Sequence, residues 1–396
     1  MSNYILISKD AMCTDYLPVY GNTHFHTPNI DELAAKGTVF RNHYTAAPST
    51  VMSFFSMITG VYGHETKYEM YEKLHDVFQG ETLFTKLKDK GYECHILWGD
   101  IWMVLPKYFD CYRDDVVIHA HETFRQGVGA HYSHEGFLKP NRDKIESTLR
   151  ETMEKIRSIV DGRDNIFLWV HFPHVINGQV AYGSDIELFD RYIGEIRTLF
   201  PDDRIAITAD HGNMNGHKGK ICYGFDVYQP ASRVPLIVPR MDGMAEYHAN
   251  SSSTDLYSIL FEHRVPTHEF IYSDSAYRAQ RHRKLAIVYD HYKYIYNKQT
   301  KTEELYDLAF DPTEEFSLIE DYIYDPDRKF QAPSRELYYY PDWEKLPAVR
   351  QKLREEKNRI WRNGSMSVVL RSTVKDLIRP IYARFRKKKS TADTTA

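Results

Sequence analysis

Short β-branched or aromatic runs alternate with longer amphipathic segments along most of the chain. Five of these runs read as strands: YILIS (4–8), YECHILW (92–98), NIFLWVHF (165–172), RIAITA (204–209) and VPLIV (234–238). The segments between them carry helix punctuation. In TPNIDELAAKG, Thr27 stands as a cap, Pro28 occupies the first helical position and Gly37 is a stop. In SDIELFDRYIGEIRTLF, Ser184 and Glu187 form a capping-box pattern, and positions 186, 189, 193, 196 and 199 make one apolar stripe. The mixed-charge stretch 141–160 predicts a helix that covers the sheet. Strands alternating with helices predict an α/β fold, a large mostly parallel sheet flanked by helices. The stretch AAPSTVMSFFSMITG (46–60) reads as a further helix opening at Ser49-Thr50.

The texture changes near residue 275. From 276 to 320 the pattern predicts two strands, a turn and a third short strand, a small antiparallel C-terminal subdomain after a main domain spanning 1–275. Residues 321–345, rich in Tyr, Asp and Pro, read as an irregular wrap, and 346–396 as a helical, basic tail with a disordered end. Within that tail Leu370, Val374, Leu377, Ile378, Ile381 and Phe385 fall on an approximate helical stripe, interrupted by Pro380 and flanked by Arg371, Lys375, Arg379 and Arg384. Two readings stand open: a helix docked on the domain, or a peripheral contact with an anionic membrane surface.

Composition narrows the class. A 396-residue chain with 42% apolar and 27% charged residues suits a folded, soluble protein with a large core. A net charge of −4 gives no global attraction to nucleic acid, so none is expected as a partner. The four cysteines, 13, 94, 111 and 222, lack metal-ligand spacing and read as reduced structural thiols. The N-terminus enters a strand at once and no run approaches eighteen apolar residues, so a cytoplasmic location is expected, at the inner membrane face where the tail binds lipid.

In a parallel α/β sheet the ligand site lies at the carboxyl ends of the strands, so residues following strands carry most weight. Asp10 follows the first predicted strand, and Asp210 and His211 follow the fourth, within TADHGN. Two carboxylates and an imidazole at neighbouring strand ends have the donor types for a divalent cation, Zn²⁺ or Mn²⁺. Singly, each aspartate is equally an ordinary turn residue. Thr50 divides in the same way: it caps the helix, or it is a nucleophile whose ionisation a cation and the helix dipole both favour.

The order of motifs then matters. YILISKDAMCTDYLPVYGN, TPNIDELAAKGTVFRNHYTAAPST with SMITG, TLFTKLKDKGYE, HFPH, ITADHGN, GHKGK, SRVPLIVP and STDLYSIL succeed one another, ending in YKYIYN and EELYDLAFDPTEE. The chain resembles the sulfatase branch of the alkaline phosphatase superfamily over roughly residues 4 to 320. The resemblance implies that fold, and it places Thr50 where sulfatases carry the cysteine converted to formylglycine. No cysteine is present there and Phe54 replaces the motif's arginine, so the chain is more similar to phosphoethanolamine and phosphoglycerol transferases, which keep a threonine.

By that similarity Asp10, Thr50, Asp210 and His211 are the metal set, with Zn or Mn favoured over Ca or Mg because His211 stands where many Ca²⁺-dependent sulfatases have Asn. Asp100 and Trp102, in WGDIW, replace the Lys and His of a sulfate-binding motif. His171 and His174 of HFPH are implied as groups that bind substrate oxygens, protonate a leaving group or hold a second metal, and His217 occupies the family's second histidine position. Lys218 and Lys220 are natural partners for an anionic ester. The expectation is a metal-dependent enzyme that cleaves or transfers a phosphate ester group through a covalent Thr50 intermediate. Its partner would be an anionic ester, a glycan or lipid-linked glycan. A sulfuric or phosphonic ester hydrolase and a silent binding module are the alternatives.

Overall fold

The computed structural model describes residues 2–66, 78–99, 115–121, 142–172, 179–275, 283–319 and 340–363. Its centre is an eight-stranded sheet built from β1 (Tyr4–Lys9), β2 (Thr38–Tyr44), β3 (Glu93–Gly99), β4 (Val117–His121), β5 (Ile166–Phe172), β6 (Ile205–Ala209), β7 (Leu236–Val238) and β8 (Glu246–Ser252). The spatial order is β4-β3-β5-β1-β6-β7-β2-β8. All pairings are parallel except those of β7, which runs against both β6 and β2. The expected α/β architecture is present, and all five foreseen strands are among the eight.

Two of the three strands not foreseen, β2 and β8, share a reason. β2 carries Arg41, Asn42 and His43 toward its end, and β8, EYHANSS, is an edge strand whose first five residues are exposed or half-buried. Neither shows apolar alternation, because what holds them is mutual pairing: Arg41 meets Glu246, and Asn42 Nδ2 donates to the His248 carbonyl at 2.7 Å.

The pleat divides the core into two layers. One face takes Tyr4 and Leu6 of β1 with Phe167 and Trp169 of β5. They pack under α2 (Thr50–Thr59), α3 (Leu83–Asp89) and α7 (Leu256–Glu262) through Phe54, Phe55, Phe84 and Leu256. The other face takes Ile5, Ile7, Leu168 and Val170, covered by α1 (Pro28–Lys36), α4 (Arg142–Val160) and α5 (Gln179–Ile196) through Leu33, Ile156, Ile186 and Ile193. α5 begins at Gln179, so Ser184 lies inside the helix and is not the cap its pattern suggested. Gly37 does end α1, but for a steric reason. Its φ of −99° is not left-handed, whereas a β-carbon there would stand 2.4 Å from the Val238 carbonyl oxygen.

A second, antiparallel sheet of order β12-β11-β10-β9 comprises β9 (Ile271–Asp274), β10 (Lys284–Tyr289), β11 (Tyr292–Asn297) and β12 (Thr302–Asp307). β9 adds a fourth strand ahead of the expected three. The helix α8 (Leu346–Asn363) docks on this sheet, with Leu346, Leu353 and Ile360 against Leu285, Ile287 and Tyr294. The stripe from Leu370 to Phe385 and residues 320–339 of the wrap lie outside the described residues. Among the described residues no helix is long and apolar enough to cross a membrane. Between the two sheets runs the short helix α6 (Gln229–Ser232), which touches both.

Candidate active site

The site is assembled at the carboxyl ends of three adjacent central strands, β5, β1 and β6. Registers Ser8↔His171 and Ser8↔Thr208 align them, so Asp10 and Asp210 project two residues further on, from the face that packs on α2. Asp10 is tied to β5 by its N–H, which donates to the Phe172 carbonyl at 2.8 Å. Asp210 Oδ1 accepts the N–H groups of Ala11 and His211 at 3.1 and 2.8 Å. Its backbone carbonyl receives the hydroxyls of Thr45 and Ser53 at 2.6 and 2.5 Å. Those bonds pin the N-terminal turn of α2 to the end of β6.

Thr50 stands at the first position of α2, and Ser49 holds the cap position. Neither side chain caps the helix: Ser49 makes no side-chain cap bond, and Thr50 Oγ1 instead lies 3.1 Å from His211 Nε2. The cap reading of Thr50 therefore fails on geometry. His211 Nδ1 lies 2.8 Å from the Gly212 carbonyl, which can only accept, so the proton of the neutral ring is on Nδ1. The Nε2 lone pair then faces Asp10 Oδ1 at 3.5 Å and Asp210 Oδ2 at 3.3 Å.

Two carboxylates and an imidazole lone pair converging in a buried place favour a positive charge among them. Among the described residues, Asp10, Asp210 and His211 form a group whose ligand atoms all lie within 4.8 Å of one another. Burial pushes the Asp210 carboxyl up to about 7, against the pull of the His211 and Ala11 N–H groups. Such a group is ionised at neutral pH when a cation compensates it. The donor set, two oxygens, one imidazole nitrogen and the Thr50 hydroxyl beside it, suits a divalent cation.

Gly212 makes the sharp exit from β6 possible. A β-carbon there would sit 1.9 Å from the Pro230 carbonyl oxygen, so only glycine lets the His211 loop rest on α6. The contact continues as Gly212 N–H to Ala231 O at 3.0 Å. Cys13, kept as a structural thiol on sequence grounds, bridges the same seam: its Sγ meets the Asn213 and Pro230 carbonyls at 3.1 and 3.2 Å. Cys94 is likewise buried and unoxidised, and Cys222 is exposed.

The remaining expected site residues separate. His171 is fully buried at the end of β5, and burial, then the nearby His211 and Lys9, lower its pKa to about 3. His217 is half-buried in the loop after His211, its ring edge-on to Tyr228 at 5.8 Å, with its pKa lowered by burial. Lys220 is engaged by Asp226 at 2.6 Å, and Lys218 lies 5.2 Å above the Tyr228 ring. His174 and Asp100 fall outside the described residues. Two contacts had no signal in the sequence. Tyr223 packs tilted against the His211 ring at 4.4 Å, and Ser8 hydrogen-bonds His171. Each joins residues remote in sequence or set in a loop without pattern.

Comparison with known proteins agrees with this fold. The sulfatase family model matches residues 2–202. The chain is 46% identical over 59 residues to an arylsulfatase of Clostridium perfringens, covering 15% of this chain and 12% of that protein. It is 22% identical over 317 residues to the uncharacterized sulfatase YidJ of Escherichia coli, covering 61% of this chain and 63% of that one. The chain thus spans less than two thirds of the length of these relatives. Among solved structures, a 2-O GAG sulfatase superposes with TM-score 0.67 at 16% identity over 92% of this chain and 93% of that one. The phosphonate monoester hydrolase of Agrobacterium radiobacter gives 0.64 at 15% identity over 92% and 96%. At such identity these two likenesses speak for the fold.

Proposed function

The chain belongs to the sulfatase family, and from that premise we propose that it is a metal-dependent enzyme acting on anionic esters with Thr50 as its nucleophile. The observation that carries the reading is the position of Thr50 Oγ1. It lies 3.1 Å from His211 Nε2, at the N-terminus of α2, released from any capping role. A bound divalent cation would supply charge compensation for the carboxylates and favour the ionised hydroxyl. Asp10, Asp210 and His211 would hold it, and their donor types favour zinc or manganese.

The proposed reaction has two displacements. In the first, the Thr50 oxygen forms a bond to phosphorus or sulfur as the bond to the ester oxygen breaks. The Thr50 proton is lost to solvent or a nearby base, and the departing oxygen takes a proton, for which His217 and His174 are the candidate donors. In the second, the oxygen of water or of an acceptor hydroxyl bonds to the same phosphorus or sulfur as the bond to the Thr50 oxygen breaks, the incoming hydroxyl giving up its proton and Thr50 regaining one. The helix N-terminus and Ser49, whose Oγ is buried without a hydrogen-bond partner, are aligned to meet charge on the non-bridging oxygens. We favour a phosphate ester because no cysteine stands at position 50 for conversion to formylglycine. A sulfate or phosphonate ester is the second reading, supported by the sulfatase and phosphonate monoester hydrolase likenesses. A glycan carrier is suggested by structural likenesses such as the 2-O GAG sulfatase. A cytoplasmic location, with the basic tail at the membrane face, remains part of the proposal.

Thr50→Ala tests the core of it. Ester cleavage, screened with aryl phosphate, phosphodiester, phosphonate and sulfate esters, should fall by about a thousandfold or more while the fold and bound metal persist. Activity that survives in Thr50→Ala and disappears in Ser49→Ala would move the nucleophile by one residue. Product analysis with and without an added acceptor separates transfer from hydrolysis.

A further inference from the structure

Two histidines meet at the β4 edge of the large sheet, away from Thr50. His95 of β3 is in register with Leu168 of β5, and His119 of β4 with Leu97 of β3, so both side chains lie on the sheet face covered by α4. His95 Nδ1 stands 2.9 Å from His119 Nε2, with the ring planes at 13° to one another. His95 is buried and His119 half-exposed, which leaves a way in from solvent. On β1 the residue level with His95 is Ile5, five positions before Asp10. The pair is therefore roughly 17 Å lower along the strands than the Asp10 group, and on the opposite face.

A carboxylate fixes where the protons sit. Glu93 Oε1 lies 3.1 Å from His95 Nε2, and the Arg163 guanidinium donates to the other Glu93 oxygen, holding that carboxyl below its ordinary range. An ionised carboxylate only accepts, so His95 carries its proton on Nε2 and turns a bare Nδ1 lone pair toward His119. The proton between the rings then belongs to His119 Nε2. His119 Nδ1 makes no hydrogen bond among the described residues, so that proton has a second nitrogen to move to. Burial lowers His95 and brings His119 down to about 4, so both rings are neutral near pH 7, as metal ligands must be.

We propose that this pair is a second transition-metal site, in which a cation replaces the proton between His95 Nδ1 and His119 Nε2 while Glu93 orients His95 from behind. Two nitrogens 2.9 Å apart can each lie about 2.0–2.1 Å from one ion, with water completing its coordination. The displaced proton moves to His119 Nδ1, so two metal–nitrogen bonds form and no proton is released. A carboxylate on the outer nitrogen of a ligating histidine locks its tautomer and raises its basicity, which is the part Glu93 plays. The surroundings select the ion. Lys155 and Arg163 bring positive charge near His119, so an ion held by charge alone, Mg²⁺ or Ca²⁺, is disfavoured. An ion held by nitrogen coordination, Zn²⁺, Ni²⁺ or Cu²⁺, fits. The site is independent of the reaction proposed at Thr50, and its ion ties the edge strand β4 to β3.

Zinc and nickel ions are the probes, added to the full-length chain. By titration calorimetry the wild type should take up one more ion per chain than His119→Gln, and Asp210→Asn should retain that ion. Glu93→Gln should weaken it about tenfold. In protein labelled with ¹⁵N-histidine, with His119→Gln to assign the signals, long-range ¹H–¹⁵N correlation should show the His119 proton on Nε2 before zinc and on Nδ1 after it. His95 should keep its Nε2–H throughout. Equal uptake by wild type and His119→Gln, or ring signals that saturating zinc leaves unmoved, would overturn the site and leave the pair a hydrogen-bonded clasp between two strands. Loss of the extra ion from Asp210→Asn would assign that ion to the Thr50 cluster. Displacement of nickel by an equal concentration of Mg²⁺ would overturn the nitrogen coordination. Should a variant fail to fold, the zinc-dependent proton shift in the wild type still decides.

Discussion

Two buried polar clusters meet across α6 and obey opposite rules. On the side of the small sheet, Lys293 and Glu314 are both completely buried, opposite in charge and 2.8 Å apart. Their surplus bonding capacity is taken up locally, by Ser232 Oγ 3.0 Å from Lys293 Nζ and by the Gln229 N–H 2.6 Å from Glu314 Oε2. On the side of the large sheet, Asp10, Asp210 and His211 turn acceptors toward one another. The first cluster is balanced and fastens one sheet to the other. The second gathers like charge, which is a cost in folding and, on the proposed function, an asset in binding a cation and an anionic ester. Even adjacent residues divide this way: Lys9 pairs with Asp185 at 2.6 Å on one face of β1, and Asp10 turns to the site on the other.

The sharpest way to break the contrast is to relieve the unbalanced side. Asp210→Asn should lower ester cleavage by about a thousandfold, the largest effect expected after loss of Thr50 itself. With metal chelated, however, the variant should melt at the same temperature as the wild type or above it, because one of two buried like charges is gone. Restoring the metal should reverse the order, since only the wild type gains binding energy from it. A chelated variant that melts well below the wild type would show that the cluster is structural after all.

The balanced side should respond the other way. Glu314→Gln or Lys293→Met strands one buried charge and should cost about 3–5 kcal/mol, measured by urea unfolding. The double replacement Lys293→Met with Glu314→Leu should recover most of that loss, as apolar pairs do in place of buried ion pairs. Because Ser232 and Gln229 belong to α6, on which the Gly212 exit rests, the single variants should also loosen metal at the far cluster. Full metal affinity in a destabilised Glu314→Gln would uncouple the two sides.

Much of the candidate site's assembly was legible in the sequence, for a definite reason. Asp10, Asp210 and His211 sit at strand ends, and in a parallel sheet the strand ends are the site. The order of motifs added Thr50, whose approach to His211 depends on how α2 docks. What stayed hidden is held by tertiary pairing. Ser8 and Trp169 look like ordinary strand residues in apolar runs, Glu314 lies in a loop, and β8 has no apolar face. Lys220 shows another limit of residue type, since its type suits an anion and its ion pair with Asp226 has no sign in the sequence.

The smallest effect separates the two clusters from an ordinary surface pair. His268 Nε2 lies 2.8 Å from Asp255 Oδ1, with the histidine a quarter exposed. The hydrogen bond to Asp255 raises the imidazole above its ordinary 6.5, partly opposed by burial. The folded state therefore holds this proton more tightly than the unfolded chain does. The contribution is complete below the ordinary histidine value and fades as pH rises through the raised folded value. His43 and His64, both lowered to about 4 by burial, slope the other way, so the wild-type curve alone mixes the two signs. The difference in unfolding free energy between wild type and His268→Gln isolates the pair. It should be largest in mildly acidic buffer, shrink toward alkaline pH and stay within about 1 kcal/mol, as solvent-screened pairs do. A difference that grows with pH would reverse the sign assigned to the pair.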